Sequence, residues 1–223
     1  MKTVVPLKDN YSNYTKDEFS SIDQRPKGLV EIFEKFPGED RKLLERKNLV
    51  VYQGRSQLMQ RAFNQAAEGW SAATPTTYLS WFALGNGGTL SNLLIPIVPK
   101  STDTDLTQKI IINSTASTCI DSGKYHPFDS VSFLEDASNN NAKLISAITI
   151  TVGTNDANGP DGTTYYDLNE AGLYVSDSVD PTDFSGPSGA THLALLKMFA
   201  RVTFSSIRKT SERQIIFLWH IYF

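Results

Sequence analysis

Residues 195–223 read LLKMFARVTFSSIRKTSERQIIFLWHIYF and contain two strand-like segments joined by a charged turn. In the second segment both alternating sets of side chains are largely apolar: Ile215, Phe217, Trp219, Ile221 and Phe223 form one set, and Ile216, Leu218, His220 and Tyr222 form the other. A strand that is apolar on both faces is typical of the middle of a sheet, covered on each side. We therefore predict a central strand whose loss unfolds the protein.

The overall composition limits the class of protein. The chain has 223 residues, of which 40% are hydrophobic and 20% charged, and this suits one large all-β domain, alone or with an arm. The formal net charge of −3 gives no basic face for a nucleic acid. No apolar run resembles a secretory signal or approaches the roughly 20 residues that span a bilayer. We expect a soluble protein with neither nucleic acid nor membrane as a partner.

The first predicted unit is an extended N-terminal arm at residues 1–27. This segment is polar and has no sustained hydrophobic period. One interpretation is a disordered terminus. The other is an arm that docks on a neighbouring subunit, because the segment has more aromatic residues than a typical solvated tail. The predicted assembly contacts of such an arm are Val4, Val5, Tyr11, Tyr14 and Phe19.

The second predicted unit is a β domain at residues 28–223. Alternating hydrophobic segments bounded by turn residues predict strands at 28–36, 42–52, 78–84, 108–114, 128–134, 143–152, 167–175 and 199–204, followed by the C-terminal segment. Polar stretches at 153–164 and 176–191 are predicted to be loops. The pattern predicts a mainly β fold, an antiparallel β-sandwich of jelly-roll-like type.

One amphipathic helix is predicted at residues 55–67. Its apolar stripe consists of Leu58, Met59, Ala62, Phe63 and Ala66, at spacings that place these side chains on one helical face. Gly69 is a stop signal for this helix. We expect the helix to cover the core of the sheet.

A glycine-rich stretch at residues 85–88 follows a predicted strand. It lacks the Gly-Lys-Ser/Thr ending of a phosphate-binding loop, and no predicted helix begins there, so we reject that interpretation. We predict instead that Gly85, Gly87 and Gly88 adopt positive φ in a tight turn.

Residue types that often carry catalysis are sparse. The three histidines, His126, His192 and His220, lie far apart and lack the spacing of metal ligands or of a catalytic triad. The single cysteine, Cys119, excludes an intrachain disulfide and has no local signature of a nucleophile. The sequence therefore predicts no catalytic, cofactor-binding or metal-binding residue, no cofactor, and a protein that is not an enzyme.

Three weaker ligand hypotheses remain open. The loop at 155–162 is rich in side-chain oxygens and could hold a hard cation such as Ca²⁺, although an ordinary surface turn has the same composition. The carboxylates of Asp167 and Glu170, beside Asn169, could form a glycosidase-like pair only if the fold sets them at the right separation. A third hypothesis is sugar stacking on aromatic side chains. Its candidates are Trp70, Tyr78, Trp81, Tyr165 and Tyr166, although alternation places Trp81 in a core strand.

Three segments together resemble structural proteins of tailed bacteriophage particles. They are GLVEIFEKFPGEDRKLLERKNLVVYQGRSQLMQRAF at 28–63, YLSWFALGNGG at 78–88, and NEAGLYVSD at 169–177 followed by MFARVTFSSIRKTSERQIIFLWHIYF at 198–223. The closing pattern is similar to the ending of tail and baseplate-associated proteins. The resemblance lies in core and turn residues and covers residues 28–223, so the arm is outside it.

The resemblance implies a non-enzymatic structural component of the virion, in the tail, the baseplate or the head-tail neck. Such proteins act as copies in rings or fibres, in contact with other virion proteins, through arms and sheet edges. The alternative is a receptor- or carbohydrate-binding module of a tail fibre or spike. The two differ in what they expose. A fibre module should trimerise around an elongated axis and expose aromatic residues at one end, whereas a ring or neck protein should use its arm and lateral faces.

Overall fold

The computed structural model describes residues 27–36, 38–63, 78–90, 94–136, 143–159 and 165–222. The predicted arm lies outside these ranges except for Lys27, which begins the first strand. The predicted assembly contacts Val4, Val5, Tyr11, Tyr14 and Phe19 therefore lie outside the described residues.

The described residues form nine strands and two α-helices in chain order. The elements are β1 (Lys27–Phe36), β2 (Glu39–Val50), α1 (Tyr52–Phe63), β3 (Tyr78–Gly85), β4 (Tyr125–Pro127), β5 (Ser130–Asp136), β6 (Lys143–Val152), β7 (Tyr166–Ser176), a 3₁₀ helix (Pro181–Phe184), α2 (Gly186–Ala194), β8 (Lys197–Lys209) and β9 (Gln214–Tyr222). All nine strands belong to one sheet of order β4-β3-β7-β8-β2-β1-β9-β6-β5. Every pairing in it is antiparallel.

The sheet curls until its two ends approach each other. Strands β4 and β5 stand at opposite ends of the strand order, yet only Phe128 and Asp129 separate them in sequence. The Phe128 amide donates to the carbonyl of Ser80 in β3, and the Asp129 amide donates to the carbonyl of Thr149 in β6. Since two residues span only about 7–11 Å, the ends must lie close together.

Ring contacts cross the interior that this curl encloses. Phe82 of β3 and Phe217 of β9 are five strands apart in the sheet, and their ring centroids are 5.0 Å apart. The predicted mainly β, antiparallel fold is confirmed, and the two facing layers come from one continuous sheet. This arrangement is consistent with the expected sandwich of jelly-roll-like type.

Two hydrophobic cores lie on opposite faces of the sheet. The inner core contains Phe82, Leu84 and side chains from β1, β6, β7, β8 and β9. The outer core contains Trp81 and Ala83 of β3, Tyr125 of β4 and Tyr174 of β7, together with residues from the loops that cover β3 and β7. Successive residues of β3 thus alternate between the cores, as the pleat of a strand requires. The outer core explains why this strand is buried on both faces.

The C-terminal strand is central, as predicted, but it is buried on one face only. Strand β9 lies between β1 and β6. Ile215, Phe217, Trp219 and Ile221 are fully buried, whereas the alternate residues from Ile216 to Tyr222 are half-buried. The prediction of burial on both sides is wrong for the described residues, because the loops that form the outer core cover the other half of the sheet.

The helices differ from the prediction of a single one. Helix α1 begins at Tyr52, three residues before the predicted start at Arg55. Gly54 lies in its first turn, where a Cβ would be 2.2 Å from the carbonyl oxygen of Phe199 in β8, so a glycine lets the helix approach the sheet. The stretch 176–191, predicted to be a loop, contains the 3₁₀ helix and most of α2. Its small residues and Pro187 obscured the helical period.

The segment 108–114 is not a strand, contrary to the prediction. It makes an isolated bridge between Lys109 and Gly85. The Ile110 amide donates to the Leu84 carbonyl, and the Ile112 amide donates to the Gly123 carbonyl. The apolar side chains of Ile110 and Ile112 are buried, so the hydrophobic pattern was correct about burial and wrong about backbone form.

Candidate functional site

A fully buried carboxylate holds two loop segments on β7. Glu170 is 0% exposed. Its carboxylate accepts from the backbone amides of Gly87 at 3.3 Å, Thr107 at 3.1 Å and Gln108 at 2.9 Å. Arg201 Nη2 in β8 donates to the same carboxylate at 2.6 Å. These contacts satisfy a buried charge that would otherwise be costly, so Glu170 has a structural role.

Arg201 extends this network to a third loop position. Its Nη1 donates to Asp103 Oδ2 at 2.7 Å, and its Nη2 donates to Thr107 Oγ1 at 2.7 Å. Burial alone would lower the pKa of Arg201, but the carboxylates of Glu170 and Asp103 raise it, so the guanidinium remains charged. The network fixes the loop between β3 and β4 against the outer face of the sheet.

The glycine-rich turn is built for close approach and not for positive φ. None of the three glycines, Gly85, Gly87 and Gly88, has positive φ, so that prediction is wrong. A Cβ on Gly88 would lie 2.4 Å from the carbonyl oxygen of Asn169, and a Cβ on Gly85 would lie 2.6 Å from Glu170 Oε1. Glycine is required here because β7 passes directly beneath the turn.

The polar residues near Glu170, Asn169 and Asp167, also bond to other residues of the protein. Asn169 is fully buried, and its Oδ1 accepts from the Gly88 amide at 2.6 Å while its Nδ2 donates to the Asn86 carbonyl at 3.1 Å. Asp167 accepts from Arg208 at 3.2 Å on the surface. With Glu170 enclosed and held by Arg201, the hypothesis of a glycosidase-like pair has no support in this geometry.

The structure keeps the three histidines apart. His126 lies in β4, where its Nδ1 is 2.6 Å from the Pro127 carbonyl. His192 lies in α2, where its Nδ1 is 2.9 Å from Asp177, and His220 lies in β9, 3.4 Å from Glu31. No group of three or more potential metal ligands occurs among the described residues.

The thiol of the single cysteine, Cys119, has low reactivity. Burial raises the pKa of the Cys119 thiol to about 11, with the nearby carboxylate of Asp156 acting in the same direction. A thiol with such a pKa is almost entirely protonated near neutral pH and is a poor nucleophile.

The loop at 155–162, considered as a cation site, is described only as far as residue 159. Asp156 Oδ2 accepts from the Gly153 amide at 2.8 Å, and Asp156 Oδ1 accepts from Asn113 Nδ2 at 2.6 Å. Asn158 Oδ1 accepts from the ammonium of Lys209 at 2.9 Å. All three oxygens accept hydrogen bonds from N–H groups of the protein. The described part of the loop is therefore a turn held by internal hydrogen bonds.

The aromatic candidates for sugar stacking do not form one surface. Trp81 is 0% exposed and lies in the outer core, as alternation predicted. Tyr78 and Tyr165 are exposed, and an arginine, Arg208, lies 3.8 Å above the Tyr165 ring. Tyr166 packs against the inner core, and Trp70 lies outside the described residues.

A polar cleft opens beside the outer core. It has a volume of about 230 Å³. Its lining residues are Thr104, Asp105, Lys109, Asp121, Tyr125, Tyr174, Leu193 and Leu196. They come from the loop between β3 and β4, from β4 and β7, and from the end of α2 with the residues after it. The sequence alone does not reveal this cleft, because none of its polar residues forms a local motif.

Hydrogen bonds organise the polar wall of the cleft. Lys109 Nζ donates to Asp105 Oδ2 at 2.8 Å and also to the Tyr125 hydroxyl. The Tyr174 hydroxyl donates to Asp105 Oδ1 at 2.6 Å. Burial raises the pKa of Tyr125 and of Tyr174, so both hydroxyls are protonated donors at neutral pH. Burial would lower the pKa of Lys109, but Asp105 and Tyr125 raise it, and the amine is an ammonium.

A second surface with exposed groups is the edge of the sheet at β5. Among the described residues, β5 pairs only with β6 and ends the strand order. Phe133 is 70% exposed and Val131 is 45% exposed. Their partners across the pair are Ser146 and Ile148, which face the interior, so Val131 and Phe133 extend the inner face of the sheet beyond its last strand.

In comparisons with known proteins, no family model, no curated protein and no solved structure matches the chain. Within the described ranges, neither helix has the length and apolar character needed to cross a membrane.

Proposed function

We propose that this chain is a non-enzymatic structural component of a tailed phage particle, in the tail, baseplate or head-tail neck. Copies of the chain join when the N-terminal arm of one copy adds to the β5 edge of the next. The observation that carries the proposal is the β5 edge, where Phe133 and Val131 are exposed and where β5 pairs, among the described residues, only with β6. The resemblance of three segments to virion proteins supplies the phage context.

The chemistry of the β5 edge favours the addition of a strand. An edge strand presents unpaired backbone N–H and C=O groups, and most proteins block such edges with charges, proline or bulges. The segment from Ser130 to Leu134 has neither charge nor proline, and the two charges of β5, Glu135 and Asp136, lie at the end of the strand. No register shift interrupts the pairing of β5 with β6. An added strand would gain backbone hydrogen bonds and would bury Phe133 and Val131.

The arm begins close to this edge. Lys27 pairs with Tyr222, Tyr222 pairs with Ile145, and Ile145 pairs with Leu134 of β5. These residues follow one another across the sheet, so the arm leaves β1 only about 15 Å from the β5 edge, at roughly 4.8 Å per strand. Twenty-six extended residues span at most about 90 Å, which reaches the same edge on a neighbouring copy.

Sedimentation of the full chain tests the assembly mechanism. We expect concentration-dependent self-association that is lost when residues 1–26 are deleted and also in Phe133→Lys. The deletion stops at residue 26 because Lys27 belongs to β1. Phe36→Lys is the matched control, since Phe36 is also an exposed phenylalanine, 43% exposed at the far end of β1, and should leave association unchanged.

A full chain that stays monomeric at every concentration would contradict assembly between copies. Self-association that survives both the deletion and Phe133→Lys would place the contact elsewhere. For the phage context, a tagged chain supplied during infection by the phage that encodes it should sediment with the purified particles. Its absence from those particles would contradict a virion role.

A further inference from the structure

We propose that the polar cleft lined by Asp105, Lys109, Asp121 and Tyr125 binds a neutral sugar, one hexopyranose unit at the end of a glycan. The cleft is formed within a single copy, so this proposal does not depend on assembly through β5. The alternative function predicted from the sequence was a carbohydrate-binding module. The aromatic residues do not form a binding surface for a sugar, whereas the cleft could hold one.

The size of the cleft limits the occupant. Its volume of about 230 Å³ lies just below the roughly 300–1,000 Å³ of sites that enclose drug-sized ligands. At about 30 Å³ for each molecule of liquid water, it has room for seven or eight waters. A ring-sized ligand or the terminal unit of a longer chain fits this space.

The hydrogen-bonding groups left over in the cleft are both donors and acceptors. Lys109 Nζ has three protons, of which Asp105 and Tyr125 take two. The Tyr125 hydroxyl accepts from Lys109, and among the contacts of the described residues its own proton has no acceptor. Asp121 uses Oδ2 for Lys124 at 3.3 Å, which leaves Oδ1 available. Thr104 adds a hydroxyl to the rim.

This mixture of groups favours hydroxyls over anions. The lining has two carboxylates, Asp105 and Asp121, and one ammonium, Lys109, so a ligand anion would be repelled, and the ammonium that could oppose this is already paired with Asp105. A sugar hydroxyl both donates and accepts, and it can therefore bond to the Tyr125 proton, the Lys109 ammonium and the Asp121 carboxylate. The charges of Lys109 and Asp121 strengthen the bonds that these two residues make.

Part of the lining of the cleft is apolar. Leu193 lies near the end of α2, and Leu196 lies just before β8; both are half-buried and line the cleft. A pyranose ring has the same two-sided character, with hydroxyls at its rim and C–H groups on its faces. Packing of a ring face against the two leucines would remove apolar surface from water on both partners.

Backbone geometry fixes the position of Asp121 in the lining of the cleft. Asp121 and Ser122 have φ of 50° and 55°, and Gly123 has φ of 87°. Ile120 and Tyr125 form a bridge across this turn, and Tyr125 belongs to β4. Asp121 and Tyr125 are therefore held together by the turn, and asparagine is the best substitute for Asp121 because it tolerates left-handed φ.

Saturation-transfer NMR with the full chain and four free sugars, glucose, galactose, mannose and N-acetylglucosamine, tests the proposal. At least one sugar should bind saturably, with a dissociation constant on the order of 1 mM for so small a ligand. Tyr125→Phe removes one hydroxyl, and Asp121→Asn removes one charge. Tyr125→Phe should weaken binding by about tenfold through the loss of one hydrogen bond. Asp121→Asn should weaken it by a similar factor, because the remaining amide oxygen accepts a weaker hydrogen bond than the carboxylate.

Tyr52→Phe is the control, because it makes the same chemical change at an exposed tyrosine of α1, 68% exposed and outside the cleft; its binding should equal that of the wild type. Circular dichroism establishes that each variant is folded, and Asp121→Asn is the safer of the two, because Asp121 is half-buried whereas Tyr125 is buried. The proposal is overturned if none of the four sugars binds saturably. It is equally overturned if folded Asp121→Asn binds as tightly as the wild type.

Discussion

Arg201 in β8 and Glu170 in β7 form a buried ion pair, with Nη2 of the arginine 2.6 Å from Oε2 of the glutamate. The glutamate side chain is 0% exposed and the arginine side chain 6%. The pair lies at the point where the loop between β3 and β4 meets the outer face of the sheet. It therefore connects the sheet to the segments that form the cleft.

Arg201→Met should destabilise the protein strongly. The substitution leaves the Glu170 carboxylate buried without its counter-charge, which costs about 3–5 kcal/mol. Urea unfolding followed by tryptophan fluorescence measures this loss. The double variant Glu170→Gln with Arg201→Met removes both charges and should recover at least about 1 kcal/mol of it. A double variant no more stable than Arg201→Met alone would show that the arginine acts independently of Glu170.

Gly88→Ala should be destabilising although Gly88 does not have positive φ. Its Cβ would lie 2.4 Å from the carbonyl oxygen of Asn169, and backbone atoms can move only with the strand, so we expect a loss of about 1–3 kcal/mol. Gly153→Ala is the control, because the nearest atom to its Cβ would be a side-chain oxygen of Asp156 at 3.1 Å and not a backbone atom of a strand. Equal unfolding free energies for the two variants would contradict the close approach of the turn to β7.

Neighbouring isoleucines in β9 should differ in their contribution to stability. Ile215 is fully buried in the inner core, whereas Ile216 is half-buried on the other face. Ile215→Ala should cost about 2–5 kcal/mol in unfolding free energy, and Ile216→Ala should cost clearly less. Thermal and urea unfolding measure both. Similar losses would mean that a partner or another segment covers the outer face of β9 in solution.

Stability should depend on pH through Lys209, which is fully buried. Burial lowers the pKa of its ammonium from the ordinary 10.5 to about 8. Below pH 8 the amine is protonated in both the folded and the unfolded chain, and the folded state carries a buried charge. Between pH 8 and 10.5 the folded chain loses this proton first, so the unfolded chain binds more protons and stability rises with pH.

Comparison with Lys209→Met isolates this contribution, because other titrating groups act equally in both proteins. Urea unfolding at pH 7, 8, 9 and 10 should show the wild type gaining stability relative to the variant as the pH rises. A difference that stays constant over this range would show that Lys209 has an ordinary pKa.

Local patterns in the sequence were sufficient for most of the strands. The hairpin of β1 and β2, the strand β6 and the central position of β9 were all predicted, because alternation of side chains along a strand depends only on near neighbours. Helix α2 was missed, since Gly186, Pro187 and Gly189 weaken the helical signal. The segment 108–114 was mistaken for a strand, since burial produces the same apolar pattern in an irregular loop.

The sequence by itself determined that this is an antiparallel β protein whose last segment is an interior strand, because those properties follow from composition and a period of two. Only the tertiary structure decided what Glu170, the glycine turn and the cleft residues do. The partners of Glu170 lie 31 to 83 residues away, and the cleft combines residues from Thr104 to Leu196. Such contacts depend on how the curled sheet brings distant segments together, and no local pattern encodes that distance.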